Sequence, residues 1–152
     1  MFDAVVGLAQ RACPQVQLLV KSVRQVRAVA RGIIDADNAR SIERVLGYYA
    51  EYAVLLPPNE PPVLGRQAIR PRYETLFSSF RPEIVAQVDQ VCVSEHLAFV
   101  RGHNGGRLLS PDGGKDRMLD DAFFMLLRRG SDGAWQISHL MWHRSSRENS
   151  LQ

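Results

Sequence analysis

The chain has 152 residues, 45% hydrophobic and 23% charged, with a net charge of +3. Those values suit one globular domain with its own core and exclude a disordered or fibrous chain. No apolar run approaches the roughly 20 residues of a membrane-spanning helix, and the 17 Arg and 2 Lys are scattered rather than clustered.

Lys21, Arg24, Arg27 and Arg31 align at helical spacing and read as a solvated face, so neither a nucleic-acid nor a membrane partner is expected. The start, Met1-Phe2-Asp3, has no basic segment and an early acid, which points to a cytoplasmic location. Cys13 and Cys92 stand in no ligand or redox spacing.

Residues 1–15 show no period and read as a leader. From Val16, the positions Leu19, Val23, Val26, Ala30 and Ile33 predict an amphipathic helix ending near Asp35. Asp37, Asn38 and Ser41 offer caps for a second, shorter helix with Ile42, Val45, Leu46 and Tyr49 as its stripe. Ala53 to Leu56 is a short strand, stopped by Pro57-Pro58-Asn59-Glu60-Pro61-Pro62, where four prolines fix φ and remove donors. Val63-Leu64 returns as a second short strand. A third helix follows Gly65 through Ile69, Tyr73, Leu76, Phe77 and Phe80, with Pro71 expected to kink it or delay its start.

After Pro82 the period becomes two. Strands are expected at about 84–94, 97–108, 117–129 and 134–143, joined at 94–96, 110–114 and 130–133. Helices first and long hairpin-linked strands after is an α+β order, with three helices packed on one face of an antiparallel sheet. Residues 144–152 read as a polar tail, leaving 16–143 as the domain.

Several strings resemble the SnoaL-like branch of the nuclear transport factor 2-like (ketosteroid isomerase-like) superfamily. They are Tyr49-Ala50-Glu51-Tyr52-Ala53-Val54-Leu55-Leu56-Pro57-Pro58, Gly65-Arg66-Gln67-Ala68-Ile69 with Tyr73, Leu97-Ala98-Phe99-Val100-Arg101-Gly102, and Asp132-Gly133-Ala134-Trp135-Gln136-Ile137-Ser138-His139. The resemblance implies a cone: a strongly curved sheet around the first helix, enclosing a mostly apolar cavity for a small hydrophobic molecule. It also implies a homodimer through the outer sheet face.

On strict alternation, Trp135, Ile137, His139, Met141 and His143 share one face of the last strand, and the resemblance turns that face into the cone. His139 and His143 are then candidate acid–base groups, and the alternative for each is a satisfied core or rim histidine. Four residues on a strand separate them by about 13 Å, too far for one metal ion; neither a metal nor a cofactor is expected. Asp121 opens an apolar run and reads either as a desolvated base or as a salt-bridged strand end. Tyr49, Arg101, His103, Trp135, Ile137 and Met141 complete the expected pocket lining.

Steroid-isomerase chemistry is not carried over. Its acid at the end of the first strand is replaced by Leu55, Leu56 and Pro57, and the first helix holds no Tyr. Its second acid falls on the apolar Phe123–Leu126 stretch. Tyr52 and Glu95-His96 are further departures from the family's pattern. The readings left are a cofactor-free isomerase, cyclase or dehydratase, a non-catalytic ligand binder, or a dimeric assembly domain.

Overall fold

The computed structural model describes residues 14–145. Of the expected leader at 1–15, residues 1–13 lie outside the described residues, and Pro14 and Gln15 already belong to the first helix. Of the expected tail at 144–152, Arg144 ends the last strand and residues 146–152 lie outside the described residues. Helix α1, Pro14–Asn38, buries Val26, Val29, Ala30, Ile33 and Ala36 along one stripe. It runs past the expected end at Asp35 and closes in a Schellman turn. There Arg40 N–H donates to the Asp37 carbonyl at 2.9 Å, and Ser41 N–H to that of Ala36 at 3.0 Å. Arg40 takes the left-handed position, φ 53°, that this turn usually gives to glycine. Asp37 and Asn38 therefore belong to α1 and do not cap the next helix. Ser41 holds the cap position of α2 (Ile42–Gly47) without a side-chain bond.

Strands β1 (Tyr49–Leu56) and β2 (Val63–Leu64) flank the proline turn, and α3 spans Arg66–Ser79. Gly65, at φ 91°, sits ahead of α3, and its N–H bonds the Ala53 carbonyl at 2.8 Å. Pro71 lies inside α3 and does not delay its start.

The long strands are β3 (Arg81–Val93), β4 (Leu97–Leu109), β5 (Arg117–Arg129) and β6 (Trp135–Arg144). The sheet order is β2-β1-β6-β5-β4-β3. Four neighbouring pairs are antiparallel, but β1 lies parallel to β6. The sheet is mixed, correcting the all-antiparallel expectation. A parallel neighbour requires a long crossover, here supplied by α3 and β3–β5. The core joins α1, α2 and α3 to the inner side of the sheet through Ala98, Val100, Phe123, Met125, Leu127, Trp135 and Ile137.

One irregularity decides which way the last strand faces. Leu127 pairs with Ile137, but Leu126 pairs with His139. Ser138 is therefore an extra residue, a β-bulge, buried with its hydroxyl on the Leu126 carbonyl at 3.1 Å. Before the bulge Trp135 and Ile137 face the core. After it Leu140 and Trp142 do, while His139, Met141 and His143 turn outward. The single face expected of these five residues is split in two.

Candidate functional sites on two faces of one sheet

The polar groups turned inward begin at the corner after α1. Asn38 pairs its amide with the backbone of Ile84 in both directions, each bond 2.8 Å, which fastens the helix end to β3. Arg40 donates to the Phe77 carbonyl of α3 at 2.8 Å. Held between these ties, Asp37 points into the core, 8% exposed, with Oδ1 lacking a hydrogen-bond partner. Burial pushes its carboxyl up to about 8, because a low-dielectric surrounding penalises the charged form.

Within reach of the Asp37 charge, the hydroxyls of Tyr49 and Tyr73 share a hydrogen bond of 2.8 Å. Both phenols are pushed up, first by burial, with the Asp37 charge adding to the effect. Across β4 and β5, Asn104 and Asp121 stand directly opposite one another. Each has a buried Oδ1 without a partner. Burial raises the Asp121 carboxyl, and Arg144, its β6 neighbour, opposes that rise. The indole N–H of Trp135 is also buried without an acceptor.

The outward groups form a different assembly. His103, Ala122 and His143 stand in one row across β4, β5 and β6, and Arg101, Phe124 and Met141 in the next. Together they line a hollow of about 320 Å³. At its edge Asp89 sits in a second bulge, between Val88 and Gln90 of β3. Its Oδ2 is 2.7 Å from His103 Nδ1, and Gln87 donates to its Oδ1 at 2.9 Å. The Gln87 bond, followed by His103, holds the Asp89 carboxyl below its usual value.

The residues singled out from sequence thus divide. Tyr49, Trp135, Ile137 and Asp121 face the interior; Arg101, His103, Met141 and His143 line the outer hollow. His139 is also on the outer face, its Nδ1 3.2 Å from Ser138 Oγ. Asp37 and Asp89 were not among them. Asp37 carried a readable signal, since it continues the Val26-Ala30-Ile33 stripe by one further step of four. Asp89 carried none, because a bulge is set by the partner strand. Among the described residues, no group of three or more His, Cys, Asp or Glu is arranged to hold a metal ion.

The family model of the SnoaL-like domain matches residues 30–136. No curated protein sequence matches the chain. Among solved structures, a ketosteroid isomerase-like protein from Erwinia carotovora atroseptica is similar at 23% identity and TM-score 0.75, over 82% of this chain and 96% of that one. A candidate dehydratase of the NTF2-like family from Streptomyces avermitilis is 16% identical with TM-score 0.73, over 84% and 99%. A candidate scytalone dehydratase from Novosphingobium aromaticivorans is 17% identical with TM-score 0.72, over 83% and 85%. At such identities these likenesses speak for the α+β NTF2-like fold alone.

Proposed function

We propose, from the premise that this chain belongs to the SnoaL-like domain family, that its interior is a cofactor-free acid–base site for a small hydrophobic molecule, of isomerase, cyclase or dehydratase type. The observation that carries the reading is Asp37: a buried carboxyl with one unpartnered oxygen and a pKa of about 8. A core residue with no task is better replaced by an apolar side chain, because a buried unpaired polar group costs about 1–3 kcal/mol. At neutral pH this carboxyl is mostly protonated, so it can donate a proton, while its ionised minority can accept one. The Tyr49–Tyr73 hydroxyl pair, within reach of the Asp37 charge, is suited to passing or anchoring a hydroxyl. The candidate dehydratases among the structural neighbours fit this chemistry. Steroid isomerisation stays outside it, for the residues missing from β1 and α1.

The test is proton exchange. A panel of enolisable and hydroxylated apolar compounds is incubated with the protein in heavy water and followed by NMR. Asp37→Asn is expected to cut exchange of a responsive compound by at least about 100-fold, the usual size of a general acid–base contribution. Exchange equally fast in Asp37→Asn overturns the reading.

A second reading, a dimeric assembly domain, draws on the outer sheet face, where Val85, Phe124 and Met141 expose apolar surface. Sedimentation across a range of protein concentration tests it; a monomer throughout ends it.

A further inference from the structure

The outer hollow differs from the interior in every respect that matters for binding. It is open to solvent, the carboxylate at its edge is hydrogen-bonded, and all its side chains come from three adjacent strands of one chain. Its depth has a simple cause. Ala122 ends at a methyl group, whereas its row neighbours are His103 and His143, and Phe124 rises in the next row. A short side chain ringed by long ones leaves a pit of about 320 Å³, the size of a small-ligand pocket.

The walls of the pit are of two kinds. Phe124, 38% exposed, and Met141, 48% exposed, give it an apolar side. The Phe124 ring is braced by Phe99, stacked at 5.4 Å between centroids. Arg101 and His103 form the polar side. The nearest contacts of Arg101 are long, 3.4 Å to Gln90 and 3.9 Å to Asp89, so its five N–H donors are far from exhausted. Asp89 engages His103 through Nδ1, which fixes the ring and leaves Nε2 as the nitrogen free of that carboxylate.

We propose that this pit is a second ligand site, separate from the interior, that takes small planar aromatic acids. The ring lies over Ala122 against Phe124 and Met141, where offset stacking and sulfur–aromatic contact are both favourable. The carboxylate meets the Arg101 guanidinium, whose planar fork matches it with two parallel bonds. A ring hydroxyl reaches His103 Nε2. Cationic ligands are rejected by Arg101, and purely aliphatic acids lose the stacking.

The test is a titration of the full chain with 4-hydroxybenzoate, read from the NMR signals of the His103 and His143 rings and the Phe124 side chain, with benzylamine as the cationic control. The expected result is saturable binding with a dissociation constant no weaker than about 1 mM, and no response to benzylamine. Ala122→Leu fills the pit from the solvent side and should weaken binding at least about tenfold. Arg101→Met should do the same through the lost ion pair, and it keeps the test decisive if the Leu variant fails to fold. Asp37→Asn should leave this binding unchanged. The proposal is overturned if the natural chain does not saturate, if folded Ala122→Leu and Arg101→Met bind as the natural chain does, or if benzylamine binds equally well. It is overturned too if saturation appears only where sedimentation shows a dimer, since the pit then belongs to a second copy's side chains.

Discussion

The inner and outer sides of the sheet treat carboxylates in opposite ways. Inside, Asp37 and Asp121 are shut from water and their pKa values rise. Outside, Asp89 is only partly covered, but hydrogen-bonded by Gln87 and His103, and its pKa falls. The contrast shows that what a carboxylate can do here follows from its partners as much as from its depth. Asp37 is suited to exchanging protons near neutrality, and Asp89 to staying charged and orienting an imidazole.

The largest expected effect breaks this contrast at Asp37. Its pKa is near 3.8 when unfolded and about 8 when folded, so between those values the folded state holds a proton that the unfolded state has lost. Stability should therefore fall as pH rises from about 4 to about 8, by about 1.4 kcal/mol per pH unit from this group, and level off above. Urea denaturation across that range measures the slope. Asp37→Asn should remove it and be the more stable protein at pH 8; an unchanged slope in the variant rejects the assignment.

Next comes the residue that divides the two faces. Deleting Ser138 leaves Ile137 and His139 as consecutive residues opposite Leu127 and Leu126, so the register and the outward facing of His139, Met141 and His143 are kept. Only the kink and the hydroxyl bond to the Leu126 carbonyl are lost, and a cost of about 2 kcal/mol is expected from thermal melting. A deletion variant in which the His139 and His143 rings become shielded from solvent, read by NMR, would mean that the pairing with β5 does not set the facing.

Asn38→Ala should be smaller, about 1–2 kcal/mol for two lost hydrogen bonds. It should also lower the Asp37 pKa, read from the carboxyl carbon shift, because the corner that excludes water from Asp37 loosens. A stability loss without that shift would make Asn38 structural only.

The smallest effect belongs to Arg40→Gly. Glycine relieves about 1 kcal/mol of left-handed strain, but the bond to the Phe77 carbonyl, of similar worth, is lost with the side chain. A net change within about 0.5 kcal/mol is expected from the two cancelling terms. Arg40→Lys, which keeps the strain and shortens the reach, should be the worse variant.

The elements themselves were legible because their signals are local. The apolar stripe of α1, the proline turn at 57–62 and the period-two runs place helices and strands to within a few residues. The parallel pairing of β1 with β6 was not legible from period, since it depends on where a strand returns after some eighty residues. Nor was the facing of β6 beyond Ile137. Alternation predicts one face for Trp135 through His143, and only the pairing with Leu126 and Leu127 shows that Ser138 is passed over. That single uncounted residue moved two candidate histidines from the interior to the surface. Asp37 was misplaced for a different reason: an acid next to Asn and before Ser suggests a cap, and that local habit outweighed its place on the buried stripe.

The double hydrogen bond from Asn38 to Ile84 has one more consequence. β3 is an outermost strand of the sheet, and such a strand offers free backbone groups on which another chain can extend the sheet. A side-chain amide carries the same donor and acceptor as a peptide unit, so Asn38 acts as the rung of a strand that stops after a single residue. The end of α1 closes the sheet against intermolecular pairing at Ile84, so the residue that steadies the corner around Asp37 also blocks one rung of that edge.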